Sequence, residues 1–169
     1  MGRFYPEGMP KEQLLSFYAD RFETVEINNS FYQLPDARTF DQWRQTAGKG
    51  FRFAVKASRY ITHMKKLRDP AQSLSKFFNA GEHLKSKLGP VLFQLPPNWH
   101  VNTERLKTFL DALPKKHRYA FEFRDDSWFN RDVYELLKAY GACFCIYDMA
   151  GEVTPREVTT DFLYIRLHG

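Results

Sequence analysis

The sequence predicts an α/β fold built on a parallel sheet, and three observations carry that prediction. Short hydrophobic strand segments recur along the 169 residues, separated by helical patterns. Alternation of this kind implies parallel strands joined by right-handed crossovers. The strands also carry charged and amide residues on one parity, where a sheet covered on both faces would be almost uniformly apolar. Those polar residues gather near the C-terminal strand ends, where open α/β sheets and α/β barrels keep their ligand sites.

The elements follow in order. Pro10 opens a first helix with a stripe of Leu14, Leu15, Tyr18 and Phe22. A strand over 24–30 (Thr-Val-Glu-Ile-Asn-Asn-Ser) comes next, then a helix capped by Asp36, carrying Phe40, Trp43 and Ala47 and stopped by Gly48. The strand 51–57 precedes a long helix started by Asp69-Pro70 and running to Leu88, with Gly89 as its stop. Strand 90–95 leads to a helix capped by Thr103 and ended by Pro114. Strand 119–124 leads to one capped by Asn130 and stopped by Gly141. Strands 143–148 and 163–168 close the pattern. Residues 149–160 between them are polar, with Gly151 and Pro155 and no helical stripe, and read as a short connection.

One domain over residues 1–169 is expected, on a prior of roughly 100–200 residues per domain. A closed eight-stranded barrel typically needs about 250 residues. The pattern therefore fits either an open sheet or a barrel lacking its first and last βα elements. In the second case the strands at 24–30 and 163–168 would be free edges.

Hydrophobic residues make up 43% of the chain, enough for a real core, and 27% charged residues favour an ordered, soluble protein over disorder. No apolar run approaches the ~20 residues that cross a bilayer, and Met1 to Pro6 lacks the apolar region of a signal peptide. Cys143 and Cys145 lie two apart on one strand and cannot bridge without distorting it. A reduced, cytoplasmic protein is expected. A C-x-C pair can be half a zinc site, but no second ligand pair has suitable spacing. The formal charge of +5 is mild. Basic residues bunch at 65–68, 85–87 and 115–118, as solvated helix ends or as contacts for phosphate or a nucleic-acid backbone. Aromatic residues are not interleaved with them, which weakens the nucleic-acid version.

Several segments carry a resemblance. They are Phe4-Tyr5-Pro6, Val25-Glu26-Ile27-Asn28-Asn29-Ser30-Phe31-Tyr32, Phe53-Ala54-Val55-Lys56-Ala57 and Ile61-Thr62-His63. Phe93-Gln94-Leu95-Pro96-Pro97, Glu122-Phe123-Arg124 with Ser127-Trp128, and Tyr164-Ile165-Arg166-Leu167-His168-Gly169 complete the set. Together they resemble the YecE-like proteins, domain of unknown function 72, over nearly the whole chain. The resemblance implies a TIM-like (β/α) barrel of parallel strands. Members of that family usually begin with a Gly-Thr-Ser-Gly-Trp strand and end with an Asn-rich strand, and both are absent here. About six of eight βα units are then expected, with the barrel truncated at both ends. The family has no assigned reaction and is loosely related to sugar isomerases.

In such a barrel Glu26, Asn28, Lys56, Gln94, Glu122, Arg124, Arg166 and His168 converge. Arg124, Arg166 and Lys56 would hold a phosphate, a carboxylate or sugar hydroxyls of a small substrate, with Glu26, Asn28 and Gln94 as further substrate contacts. Glu122 would be the base and His168 a second acid/base. Tyr32, His63 and Trp128 are loop residues that could close on a ring or an anion. A metal-assisted isomerase or epimerase would instead gather Glu122, Asp148 and His168 around a divalent cation, the less favoured version. A purely structural alternative sets three acids (Glu26, Glu122, Asp148) against three bases (Lys56, Arg124, Arg166) in a buried network. A phosphate- or nucleic-acid-binding module using residues 65–68, and an inactive structural fragment, remain as further alternatives.

Overall fold

The structure, a computed structural model, describes residues 4–168. Met1 to Arg3, read above for a leader, and Gly169 lie outside the described residues. A 3-10 turn and the short helix α1 (Leu14–Ala19) precede β1 (Thr24–Ile27), α2 (Ala37–Thr46) and β2 (Arg52–Lys56). There follow α3 (Pro70–Gly81), β3 (Leu88–Gln94), α4 (Thr103–Asp111), β4 (Tyr119–Glu122) and α5 (Arg131–Ala139). The last elements are β5 (Cys143–Met149), β6 (Glu152–Val153) and β7 (Tyr164–His168). β1, β2, β3, β4, β5 and β7 pair in that order, all parallel, as a curled half-barrel sheet.

Strand parity divides the side chains as the sequence pattern requires. Phe53, Val55, Val91, Phe93, Phe121, Phe123 and Phe144 point outward and pack under the helices. Phe40, Leu74, Phe77, Leu106, Phe109, Val133 and Leu137 meet them from the helix side. Phe93 stacks on Phe121 at 5.2 Å between ring centroids, and Phe123 on Trp128 at 4.8 Å, so one aromatic row binds the middle of the sheet to its cover. The concave face carries a small apolar floor of Leu92, Ala120, Cys143 and Cys145 with Phe162 and Tyr164 beside it.

Asp36 caps α2 by accepting from the Thr39 N–H at 2.8 Å, and Asn130 caps α5 through the Val133 N–H, both as expected. Asn102 takes the cap of α4 in place of Thr103, which is its first helical residue. Asp69-Pro70 starts α3 as expected, but the Asp69 side chain makes no capping hydrogen bond: the residue sits at φ 43° and its carboxylate reaches Lys65. The long third helix also ends sooner than expected, at Gly81. A 3-10 stretch broken at Lys85 (φ 52°) follows. Gly89 does not stop a helix but lies inside β3, where an added Cβ would come within 3.1 Å of the Phe53 carbonyl oxygen beside a register shift. β1 ends at Ile27, three residues early, because Asn29–Phe31 turns into a 3-10 helix.

The connection expected over 149–160 contains a strand. Ala150 and Gly151, at φ 52° and 86°, make the tight turn that folds β6 antiparallel onto the end of β5. Thr154 then accepts from the Tyr147 N–H at 3.0 Å. Thr159 accepts from the Phe144 N–H at 2.8 Å and donates to the Ala142 carbonyl at 2.7 Å. Both threonines are buried, and they clamp the path into β7 against β5.

Among the described residues β1 pairs only with β2, and β7 with no strand but β5, so both are edges. Ile165 and Leu167 on the outer face of β7 are 54% and 79% exposed. Among the described residues no helix is long and apolar enough to cross a membrane. Both cysteines are free and buried, and burial pushes the Cys143 thiol up to about 11, which suits inert packing groups.

Thr159→Val should destabilise the fold by about 1–3 kcal/mol, because it strands the buried Phe144 N–H and Ala142 carbonyl. Thr159→Ser should lose much less. Urea unfolding of the three proteins reads the difference, and equal midpoints for Val and wild type would remove the clamp from the account.

Candidate functional site

The concave face is organised by Arg166, at the middle of β7. Its Nη2 and Nε donate to the two carboxylate oxygens of Glu26 on β1, at 2.8 and 3.1 Å. Its Nη1 donates to Glu122 Oε2 on β4 at 2.7 Å. One guanidinium therefore spans the trough and binds two carboxylates from separate strands, a use of its planar fork that lysine could not copy. Tyr164 Oη adds a 2.6 Å hydrogen bond to Glu26, so that carboxylate is fully engaged. Against the opposing effect of burial, Glu122 and then Glu26 hold the Arg166 proton above the ordinary arginine range, while burial and then the Glu26 carboxylate hold the Tyr164 phenol proton on.

Glu122 is completely buried. Its second oxygen accepts from Nε of Arg124, which lies just beyond β4. Arg124 also lies over the Tyr147 ring at 4.3 Å and approaches Met149 Sδ and His168 Nε2, the latter at 3.3 Å. A guanidinium only donates, so this contact is a hydrogen bond when Nε2 of His168 is the bare ring nitrogen.

Lys56, at the end of β2, is the cation left over. It has no carboxylate within ion-pair distance among the described residues, and its ammonium lies 4.3 Å over the Phe31 ring. Ser30 Oγ sits 2.6 Å from the Lys56 carbonyl and 3.0 Å from that of Ile27, fixing the turn after β1 against β2. Burial, and then the charge of Arg166, lowers the Lys56 pKa; Arg124 adds to this, while Glu122 and Glu26 oppose it. His63 packs against the same Phe31 ring, centroids 5.0 Å apart, and its Nδ1 lies 2.9 Å from Thr62 Oγ1. Burial lowers its pKa, with Lys56 and Arg59 adding to the shift. It belongs to a single π-helical turn, Tyr60–Met64, followed by left-handed backbone at Lys66, Leu67 and Asp69.

Of the residues singled out in the sequence, Glu26, Lys56, Glu122, Arg124, Arg166 and His168 come together. Gln94 stands beside Glu122 in register, half-buried and without a side-chain hydrogen bond among the described residues. Asn28 is exposed past the end of β1, and Tyr32 is 74% exposed, its ring 5.0 Å from Phe31. Trp128 is not a loop contact for a ligand. It is fully buried, donates its indole N–H to the Trp99 carbonyl at 2.6 Å and belongs to the outer core. Asp148 lies exposed on the parity opposite Tyr147, so Glu122, Asp148 and His168 do not form a ligand set. No group of three His, Cys, Asp or Glu that could hold a metal ion occurs among the described residues.

Losing Asp148 also breaks the three-against-three balance: two carboxylates face three cations. Tyr147, Tyr164, Ser30 and Phe31 were missed. Tyr164 shares the parity of Arg166 and His168, and that signal would have found it. A cavity of about 390 Å³ between the loop after β2 and α3, lined by Leu34, Ser58, Tyr60 and Phe77 among others, touches none of the charged cluster. Among the described residues β1 and β7 do not pair with each other, and side chains bridge the gap between them: Tyr164 and Arg166 reach across to Glu26. The charges, not the cavity, mark the site.

The family profile described as "Protein of unknown function DUF72" matches residues 1–169. The chain is 31% identical over 160 residues to the UPF0759 protein YunF of Bacillus subtilis (strain 168), across 85% of this chain and 55% of that protein. It thus spans about half the length of that curated relative. The crystal structure of a DUF72 family protein from Thermotoga maritima superposes with a TM-score of 0.86 at 30% identity, covering 100% of this chain and 69% of that one. One from Enterococcus faecalis V583 gives 0.73 at 20% identity, covering 93% of this chain and 70% of that one, a likeness of fold alone.

Glu122→Gln should cost about 3–5 kcal/mol in urea unfolding, since it leaves two largely buried guanidiniums short of a counter-charge. An unchanged midpoint would mean the network is not holding the sheet. His63 makes a separate, pH-dependent prediction. Its folded pKa is depressed, so between that value and its ordinary one the unfolded chain binds more protons. Stability contributed at this position is therefore lowest below the folded pKa and rises with pH through the window. The difference in melting temperature between wild type and His63→Asn should move in favour of wild type as pH rises toward neutrality; a flat difference would contradict the assignment.

Proposed function

Given that this chain belongs to the DUF72 family, we propose that its curled sheet is the larger part of a TIM-like barrel and that the concave face binds a small anionic, sugar-like or phosphorylated substrate as the site of an enzyme. The observation that carries this reading is the charge imbalance. Arg166 and Arg124 are matched by Glu26 and Glu122, whereas Lys56 faces the trough with no acid partner among the described residues. A structural network would close on itself; this one keeps a cation and unused guanidinium donors for a ligand.

Both oxygens of Glu122 are held by arginines, so in this reading it orients Arg124 and Arg166, and proton transfer falls to the histidines. His168 is anchored on Arg124, and His63 is kept neutral beside Lys56. Lys56, Arg124 and Arg166 meet the anionic group, with Gln94 and Asn28 as polar contacts at the rim. The metal-assisted version has lost Asp148 and gains no support.

Inorganic phosphate and a panel of sugar phosphates should raise the melting temperature in a saturable way. Lys56→Met should weaken that binding by about 10–100-fold, the worth of one charged hydrogen bond. A nucleic-acid site would instead show binding to oligonucleotides that collapses steeply with added salt. No stabilisation by any of these anions, or equal binding by wild type and Lys56→Met, would overturn the reading.

A further inference from the structure

We propose that Lys56 is an amine nucleophile, and that the site takes a substrate carrying a carbonyl carbon next to its anionic group. The inference rests on the anion-binding reading above and deepens it.

Its basis is the setting of one nitrogen. Lys56 Nζ stands at the C-terminal end of a buried strand, over the Phe31 face, without an ion-pair partner among the described residues. A lysine kept only to neutralise charge would be expected against a carboxylate, and two are near. Both are instead committed to arginine: Glu26 to Arg166, Glu122 to Arg166 and Arg124. The groups facing the amine are Arg166 from β7, Arg124 from beyond β4, Glu122 from β4, Glu26 from β1 and His63 from the turn after β2. Desolvation and two neighbouring guanidiniums loosen the ammonium proton, so the cation that meets the anionic group can give it up and become the amine that attacks carbonyl carbon. The same two guanidiniums offer a carboxylate or phosphate a place beside it.

The step balances without an outside oxidant or reductant. The Lys56 nitrogen lone pair forms a C–N bond to the carbonyl carbon, and the C=O π pair moves to oxygen. Before this attack the ammonium gives one proton to His63, a neutral acceptor, and nitrogen gives up a second once the C–N bond has formed. Both are delivered to the oxygen, which leaves as water, and an iminium remains between substrate carbon and Lys56. The positive charge then returns to where the ammonium would have been, and an acidic C–H is created next to the iminium carbon.

The test is reductive trapping on the intact chain. Glyoxylate, an anionic aldehyde, and glycolaldehyde, a neutral one, are each supplied with cyanoborohydride at neutral pH, and the modified peptides are mapped by mass spectrometry. The expected result is early modification of Lys56 by both, ahead of the exposed Lys107, with glyoxylate labelling slowed by inorganic phosphate. Lys56→Arg keeps the charge and should abolish the adduct while retaining phosphate binding. Should that variant not fold, phosphate protection of Lys56 in the wild-type protein is the deciding measurement. Phosphate binding without selective labelling of Lys56 would overturn the nucleophile and leave the anion site standing. Selective glycolaldehyde labelling without phosphate binding would uphold the nucleophile and remove only the anionic substrate class.

Discussion

One guanidinium holds the two ends of the sheet to its middle. Arg166 on the last strand grips Glu26 on the first and Glu122 on the fourth, so the curl of six parallel strands is fixed by charge across the trough as well as by helices around the outside. An apolar filling would serve stability as well or better, because the desolvation of buried ions consumes most of what their attraction returns. What an apolar filling could not do is keep donors aimed into an open face. The floor beneath is built from Leu92, Ala120, Cys143 and Cys145, mostly small side chains that leave room for long arginines to lie across them. Size on one layer and charge on the next are therefore a single arrangement.

The surroundings of the network explain why each charge stays where it is. Glu122 has no exposure and must be matched on both oxygens; two different arginines do so. Arg124 is steadied by the Tyr147 face, Met149 and His168, groups supplied by β5 and β7. Lys56 receives only an aromatic face. Cation–π contact steadies an ammonium without neutralising it, which is why the field of the trough remains positive after the pairs are formed.

Much of this was legible in the sequence, and the reasons for the failures are physical. Strand parity placed Glu26, Lys56, Glu122, Arg166 and His168 on one face because a period of two survives curvature and twist. Asp36 and Asn130 were readable as caps because a short acceptor before an amphipathic run has one obvious use. Asp148 was misplaced although its strand was delimited to within one residue: it shares the parity of Phe144 and Ile146 on the outer face, and its position at the strand end drew it into the site against that parity. Trp128 looked like a rim residue because a position just past a strand end says nothing about a 3-10 turn that rolls the ring back under Phe123. Gly89 misled for the opposite reason: glycine marks helix ends and close strand approaches alike, and only the neighbouring backbone decides between them. Phe31 and His63 depend on two irregular turns meeting across neighbouring βα units, information that no local pattern contains.

The pairing of Glu26 with Arg166 joins residues 140 apart in the chain. Along a growing polypeptide Glu26 appears first, Glu122 later, and the arginine that answers both 44 residues after that. Until β7 docks, Glu122 has only half its counter-charge and cannot settle into a dry interior without penalty. Parallel strands already assemble late because their contacts are non-local. Here electrostatics adds a second reason for delay, so the half-formed sheet should stay hydrated and loosely shut until β7 docks, and the union of β1, β4 and β7 becomes one concerted event instead of a gradual zippering.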